Sequence, residues 1–127
     1  RNNTYKRSMD VLVCEDDIIT LKVIQVALEN ENARAICMQD GRKALQYLKE
    51  NTVDLIITDI HMPYNNGDEI LKLIREDQKR NTPIIMISSD TQEEVIALAL
   101  KQGVNEFIKK PIEANSLQKK LKRFLNS

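Results

Sequence analysis

Residues 54–59 read DLIITD, a short apolar run that ends on a carboxylate. Its apolar residues follow one another without alternation, which is typical of a strand covered on both faces, as in a parallel sheet. Residues 10–14 (DVLVC) and 83–88 (PIIMIS) have the same character. Two weaker runs complete a set of five. The predicted strands are residues 10–14, 34–38, 54–58, 83–88 and 105–108.

Segments with apolar residues at helical spacing lie between these strands and after the last one. Glycines at positions 41, 67 and 103 mark turns or helix ends. Thr91, followed three residues later by Glu94, has the form of a capping box that opens the fourth helix. Strand and helix thus alternate five times. This order predicts a single α/β domain with a parallel sheet.

The composition excludes several classes of protein. The chain has 127 residues, with 19 cationic and 19 anionic side chains, so no global field draws it to nucleic acid or to a membrane surface. It has no apolar run of the roughly 20 residues that a membrane span needs. Cys14 and Cys37 lie in apolar runs, as expected for reduced thiols in a cytoplasmic protein. Residues 1–8 are predicted to be a flexible N-terminal extension, and residues 9–127 the domain.

Polar side chains stand at the ends of four predicted strands. Glu15 and Asp16 follow the first strand, Asp59 follows the third, Ser88 ends the fourth, and Lys110 comes just after the fifth. In an open α/β sheet, ligands bind outside the carboxyl ends of the strands. We therefore expect carboxylates, a hydroxyl and an ammonium group to meet at one edge of the sheet.

This set of groups suits magnesium and a phosphoryl group. Converging carboxylates repel one another unless a hard cation lies among them, and oxygen ligands without added His or Cys favour Mg²⁺ or Mn²⁺. Phosphate oxygens commonly complete a Mg²⁺ site, and a lysine and a serine hydroxyl can bind the remaining oxygens. A carboxylate can itself be the nucleophile. The residues therefore predict Mg²⁺-dependent phosphoryl transfer to an aspartate.

Each of these residues also has an ordinary structural interpretation. Asp17 and Asp90 follow strands and could be helix N-caps. Ser88 could be a buried hydroxyl bonded to the backbone, and Lys109 and Lys110 could be a solvated pair. It is the occurrence of all of them together, on four strand ends, that favours the site.

With these residues identified, the chain resembles the receiver domains of two-component signalling, response regulators similar to those of chemotaxis. The resemblance covers residues 9–125 and implies an α/β fold, a single-domain doubly wound (βα)5 flavodoxin-like sandwich with the parallel strand order 2-1-3-4-5. Four motifs carry it in the family's order: residues 11–17 (VLVCEDD), residues 59–63 (DIHMP) with Gly67, residues 87–89 (ISS) and residues 107–111 (FIKKP).

The resemblance implies a role for each residue at the predicted sheet edge. Asp59 would be the phosphoacceptor, attacking a phosphohistidine of a sensor histidine kinase or a histidine phosphotransfer protein. Asp16, Glu15 and Asp59, together with the backbone carbonyl of His61, would hold the metal. His61 and Asp90 would flank Asp59 and tune the rate of dephosphorylation. His61 has a simpler interpretation too, as a variable side chain at the rim.

The resemblance also implies a switch. Ser88 and Lys110 would engage the phosphoryl oxygens, and Phe107 would then swing inward. The surface around the fourth helix, fifth strand and fifth helix would change for output, toward an unknown output domain or target protein or into a homodimer. Such a protein is not an enzyme for an external substrate, since it catalyses only its own phosphorylation and dephosphorylation.

Three alternatives remain at this stage. An aspartyl-phosphate phosphatase typically has a second acid two residues after its nucleophile, where this chain has His61. A flavin-binding flavodoxin-like protein needs a phosphate loop after the first strand, where Glu15, Asp16 and Asp17 would repel the flavin phosphate. A scaffold without phosphorylation would not need intact Asp59 and Lys110.

Two helices have surfaces of interest. The apolar residues of the first helix from Ile19 to Leu28 cover an arc wider than the core requires, and Ile18 lies outside even that arc. This pattern indicates either a docking patch for the phosphodonor or tight packing against neighbouring helices. The last helix carries the basic run at residues 119–123 (KKLKR). It is predicted to be a solvated helix face, with a nucleic-acid patch as the alternative.

Overall fold

Five parallel strands form one sheet in the order β2-β1-β3-β4-β5. The computed structural model of the chain describes residues 8–60, 67–89 and 92–125. The strands are β1 (Asp10–Cys14), β2 (Arg34–Met38), β3 (Leu55–Asp59), β4 (Ile84–Ser88) and β5 (Glu106–Lys109). The helices are α1 (Ile18–Asn30), α2 (Gly41–Glu50), α3 (Gly67–Lys72), α4 (Glu93–Lys101) and α5 (Ala114–Leu125). The doubly wound flavodoxin-like prediction is confirmed.

Three strands begin one residue later than predicted. β3 runs through Asp59, which pairs in register with Ile87 of β4, so the carboxylate belongs to the strand itself. β4 begins after Pro83, which lacks the N–H that a ladder needs. β5 begins after Asn105, because the side chain of Asn105 instead accepts a hydrogen bond from the N–H of Ile84 (2.9 Å).

The core has two layers, one on each face of the sheet. Val11 and Val13 of β1 face the layer formed with α1 and α5, whereas Leu12 and Cys14 face the layer formed with α2, α3 and α4. Both sets are fully buried, which explains why the strand sequences do not alternate. The two cysteines are free thiols on opposite faces: Cys14 is buried and Cys37 is half-buried.

The helix ends confirm part of the predicted punctuation. Asp17 caps α1, with its side chain accepting a hydrogen bond from the N–H of Thr20 (3.2 Å), and Asp40 caps α2. The interpretation of Asp17 as an N-cap is therefore confirmed. The predicted capping box at α4 includes Thr91, which lies outside the described residues. A π-helical segment, Leu73–Asp77, continues α3.

The basic face of α5 is largely solvated, as predicted, with Lys119, Lys122 and Arg123 exposed and Lys120 half-buried. Lys120 and Arg123 form ion pairs with Glu106 of β5, because the outward-facing side of this edge strand lies within reach of both side chains. Within the three described ranges, no helix combines the length and the apolar character of a membrane span.

Candidate functional site

The carboxyl ends of four strands meet at one edge of the sheet, as the sequence predicts. Glu15 follows β1, Asp59 ends β3, Ser88 ends β4, and Lys110 follows β5. The N–H of Lys110 donates to the carbonyl of Ser88 (2.9 Å), so the pairing of β4 with β5 continues to the lysine. Strand order and register thus bring together residues that are up to 95 positions apart in the sequence.

A single ammonium group joins two buried carboxylates. The Nζ atom of Lys110 lies 2.5 Å from Oδ2 of Asp59 and 2.9 Å from Oε1 of Glu15. Glu15 is fully buried and Asp59 is 5% exposed, while the lysine side chain keeps 21% of its surface exposed. Lys110 therefore belongs to the site, and its interpretation as part of a solvated pair is wrong. Lys109 is exposed.

Burial dominates the electrostatics of this cluster. Desolvation raises the pKa of Glu15 to about 7, and the charge of Asp59 adds to the effect, although the N–H of Asp17 and the Lys110 ammonium oppose it. Burial alone would lower the pKa of Lys110, but hydrogen bonds and charges from Asp59 and Glu15 outweigh burial and raise that pKa. The lysine is thus held as a cation between the two carboxylates.

The donor set fits a hard divalent cation. Glu15, Asp16 and Asp59 each offer a carboxylate oxygen, and these oxygens lie within 4.8 Å of one another. Asp16 is exposed, so the cluster opens to solvent on its side. Three carboxylates face one ammonium group, which leaves an excess of negative charge among oxygen ligands. Such a site suits Mg²⁺ or Mn²⁺ better than zinc.

Two residues support the backbone at Asp59. The hydroxyl of Thr58, which is fully buried, donates to the carbonyl oxygen of Asp59 (3.0 Å). A Cβ atom at Gly67 would lie 2.9 Å from that same oxygen, so α3 begins in direct contact with the end of β3. Sequence analysis included Gly67 in a motif but missed Thr58. The available signal was a hydroxyl in an otherwise apolar strand.

Cys14, beside Thr58, does not contribute a reactive thiolate. Burial raises the pKa of its thiol to about 12, with a hydrogen bond to Thr58 acting in the opposite direction and nearby carboxylates adding to the rise. The thiol is therefore protonated at neutral pH and is a poor nucleophile and metal ligand. This agrees with the prediction of a reduced core cysteine.

The remaining predicted residues divide into two groups. Ser88 is buried at the end of β4, and Phe107 is half-buried on β5 against the layer that contains α4. His61 and Asp90 lie outside the described residues, so their roles stay predictions.

α1 presents an exposed apolar surface that begins next to the site. Ile18, Ile19 and Val26 are 61%, 72% and 46% exposed, so the tight-packing interpretation is wrong for these three side chains. They line a groove of about 540 Å³ between α1 and α5, to which Ala114 and Gln118 also contribute. Asp17, the cap of α1, follows Asp16 of the acidic cluster directly.

Comparison with known proteins identifies the family. A family model described as the response regulator receiver domain matches residues 11–122. The chain belongs to this receiver family. Receiver domains act in two-component signalling, generally as switches, and the acidic pocket of this receiver is consistent with a phosphoacceptor aspartate.

Individual relatives share both sequence and structure with this receiver. The sensory/regulatory protein RpfC of Xanthomonas campestris is 32% identical over 120 residues, a match that covers 92% of this chain and 16% of RpfC. The receiver therefore spans about a sixth of that protein. The solved chemotaxis response regulator CheY4 of Vibrio cholerae is 28% identical with a TM-score of 0.84, covering 94% of this chain and all of CheY4.

Another similar solved structure contains a magnesium ion. The receiver domain of the sensor histidine kinase PA1611 from Pseudomonas aeruginosa is 25% identical with a TM-score of 0.81, and the match covers 95% of this chain and all of that domain. A magnesium ion is coordinated in its active-site cleft.

Proposed function

We propose that Asp59 is the phosphoacceptor of a His-Asp phosphorelay. The observation that carries this proposal is the buried Asp59 carboxylate held against the Lys110 ammonium at 2.5 Å, at the carboxyl edge of the sheet. An oxygen of Asp59 attacks the phosphorus of a phosphohistidine on a sensor histidine kinase or histidine phosphotransfer protein. The new O–P bond forms as the N–P bond breaks, and the imidazole leaves with the electron pair of that bond.

Glu15, Asp16 and Asp59 would hold the divalent cation, with the predicted backbone carbonyl of His61 as a further ligand. Their oxygens already lie within 4.8 Å of one another. Bound Mg²⁺ supplies positive charge against the phosphoryl oxygens. Lys110 adds a second positive charge and orients Asp59 through its short contact. The chain would thus act on itself and turn over no external metabolite.

Ser88 and Phe107 would convert phosphorylation into a change of surface. Ser88 ends the strand next to Asp59, and the N–H of Lys110 binds its carbonyl, so one strand pair carries both groups that would reach the phosphoryl oxygens. Phe107 lies on the same strand as Lys109 and packs toward α4. His61 and Asp90 are proposed to tune how long the phosphoryl group survives.

The test is the intact mass of the protein after incubation with acetyl phosphate, with and without Mg²⁺. We expect one phosphoryl adduct that requires Mg²⁺. Asp59→Asn should not form it, whereas Asp10→Asn, at the opposite end of the sheet, should. An adduct on Asp59→Asn, or none on folded wild-type protein with either acetyl phosphate or a phosphohistidine donor, would reject Asp59 as the acceptor and favour the scaffold alternative.

The exposed start of α1 is proposed to dock the helices of the phosphodonor. Asp16 is the exposed member of the acidic cluster, and the apolar side chains of Ile18 and Ile19 come immediately after the α1 cap. The α1–α5 groove continues this surface away from the site. A helix that carries the phosphohistidine could therefore bury apolar area here while its imidazole meets Asp59.

Donor choice tests this docking surface. Ile19→Glu should slow transfer from a phosphorylated histidine phosphotransfer domain at least ten-fold and leave the rate with acetyl phosphate unchanged. Leu98→Glu on α4, which alters an equally apolar and 55% exposed side chain, is the matched control and should leave both rates unchanged. Equal slowing by both variants would reject docking at α1.

The output surface is proposed to be α4, β5 and α5. Leu98 and Leu100 of α4 are 55% and 48% exposed, which leaves apolar area on this helix for a target or a second copy of the chain. Light scattering with and without beryllofluoride tests the homodimer: the mass should double on activation in the wild type and not in Leu98→Ser. A target protein is favoured if the mass stays that of a monomer.

A further inference from the structure

β5 is an edge strand, and side chains form hydrogen bonds with its outward-facing backbone groups at Phe107. Among the described residues, β4 is its one strand neighbour, and Phe107 pairs in register with Met86 of that strand. The N–H of Phe107 donates to Oε1 of Glu106 (2.8 Å), and its carbonyl accepts a hydrogen bond from Nζ of Lys120 (3.1 Å). Side chains, not a further strand, thus satisfy the polar groups of Phe107 at this edge.

The same side chains form an ion-pair cluster. Nζ of Lys120 lies 3.6 Å from Oε1 of Glu106, and Arg123 pairs with Oε2 of the same carboxylate. We call Glu106, Lys120 and Arg123 the β5 clamp. The side chains of Glu106 and Lys120 are 21% and 33% exposed, so these contacts are less screened than a fully exposed pair.

The β5 clamp holds Phe107 from the face opposite to its ring. Ile108 packs into the layer formed by α1 and α5, whereas the ring of Phe107 packs into the layer that contains α4. Lys120 belongs to α5, so a helix on one face of the sheet fixes the backbone of a residue whose side chain lies on the other. Lys110, three residues after Phe107 in the sequence, contacts Asp59.

We propose that Lys120 and Glu106 are positioning residues for Phe107, and that the β5 clamp makes the ring respond when Asp59 is phosphorylated. This inference rests on the proposed function of Asp59. A clamped backbone cannot slide, so a pull on the Ser88 and Lys110 end of the strand pair is taken up by rotation of the Phe107 ring. Without the clamp, the free edge strand absorbs the displacement and the ring moves less.

The chain has only two phenylalanines, which makes the ring directly observable. Protein labelled with 4-fluorophenylalanine gives two ¹⁹F resonances, and Phe124→Leu assigns them. The probe of activation is beryllofluoride with Mg²⁺, a mimic of the phosphoryl group. In the wild type, the Phe107 resonance should shift on addition of beryllofluoride.

Four single variants and one double variant test the role of the β5 clamp. In Lys120→Met and in Glu106→Ala, the beryllofluoride-induced shift of Phe107 should fall to half or less, and the double variant should fall no further, because the two residues act as one unit. Lys120→Arg keeps a donor and a charge and should restore the shift. Lys122→Met removes an exposed lysine of the same helix and should leave the shift unchanged.

The outcomes separate the two proposals. If Lys120→Met responds as fully as Lys122→Met, the positioning role is wrong even though Asp59 binds the mimic. If the wild type binds beryllofluoride but the Phe107 resonance does not shift, the positioning role is wrong. If the wild type does not bind beryllofluoride, the proposed function has failed, and hydrogen exchange of the Phe107 amide decides whether the clamp exists. Exchange should be at least ten-fold faster in Glu106→Ala than in Lys122→Met, and equal rates would overturn the clamp as well.

Discussion

The two ends of the sheet carry similar residues but use them differently. At the amino end, Oδ2 of Asp54 accepts the N–H of Asp10 (2.7 Å), and Asp10 pairs with Arg34 (2.9 Å), whose side chain is 64% exposed. At the carboxyl end, Glu15 and Asp59 are buried and share the Lys110 ammonium. Each acid at the amino end thus has its own partner. Among the described residues, three carboxylates at the carboxyl end (Glu15, Asp16 and Asp59) lie close together beside one ammonium group, an arrangement that suits a cation or a phosphoryl group.

Among the predicted effects on stability, the largest should follow from removal of the shared lysine. Without Mg²⁺ at pH 7, Lys110→Met should lower the free energy of unfolding by about 3 kcal/mol, because two buried carboxylates lose their common partner. Arg34→Met should leave the urea midpoint nearly unchanged, since its ion pair is exposed. Urea denaturation followed by circular dichroism measures both.

Addition of Mg²⁺ provides the control, since a cation among the carboxylates should stabilise Lys110→Met more than the wild type and recover part of its loss, whereas Arg34→Met should gain the same increment as the wild type. Equal losses in the two variants would show that both ends of the sheet are ordinary ion pairs.

The pH dependence of stability should also distinguish the ends. Burial raises the folded-state pKa of Glu15 from 4.5 to about 7, so between these values the folded state binds more protons than the unfolded state. In metal-free protein the free energy of unfolding should therefore fall by roughly 2 kcal/mol as the pH rises from 4.5 to 7. In Glu15→Gln this component of the slope should be absent.

Glu106→Gln is the matched control for this pH profile. Burial raises the pKa of Glu106, but the N–H of Phe107 and the charges of Lys120 and Arg123 more than offset it, so the net pKa is lowered. Its stabilisation is lost only as the pH falls below about 4.5. The slope between pH 4.5 and 7 should thus survive in Glu106→Gln, and its survival in Glu15→Gln would refute the assignment to Glu15.

Much of the fold and site could be predicted because few physical signals decide them. Unbroken apolar runs indicated buried parallel strands, and a parallel sheet must gather its strand ends at one edge, so Glu15, Asp59, Ser88 and Lys110 were predicted together. Both ends of β3 lie one residue later than predicted, because a hydrophobicity pattern does not show that Asp59 pairs in register with Ile87.

The missed contacts depend on three-dimensional proximity. Nothing in the spacing of Lys120 and Glu106 along the chain indicates that α5 lies against β5 with these two side chains in contact. The donation from Thr58 to the carbonyl of Asp59 likewise depends on a rotamer, which a hydropathy pattern does not contain. Side-chain partners on different elements were thus the part that sequence reasoning lacked.

Two glycines lie in close contact with neighbouring groups, one at each end of the sheet. A Cβ at Gly67 would press on the Asp59 carbonyl at 2.9 Å, and a Cβ at Gly103, where φ is +110°, would meet Arg75 near the amino end. Alanine at either position should cost about 1 to 2 kcal/mol of stability. Only Gly67→Ala should also slow phosphorylation by acetyl phosphate, about ten-fold, because Asp59 is displaced. Equal phosphorylation rates in the two variants would show that Gly67 has no part in placing Asp59.

The smallest expected effect comes from the cation itself. Mg²⁺ at ten times its dissociation constant should raise the free energy of unfolding by about 1.4 kcal/mol, since it binds the folded state alone. Asp16→Asn should remove most of this increment, because it deletes one of the three clustered carboxylates, yet cost little stability without metal, because Asp16 is exposed. Asp10→Asn should retain the full Mg²⁺ increment, because it removes only the exposed Arg34 pair and leaves the three clustered carboxylates intact. If Mg²⁺ stabilised Asp16→Asn and Asp10→Asn equally, the excess of carboxylates at the carboxyl end would not be what binds the ion.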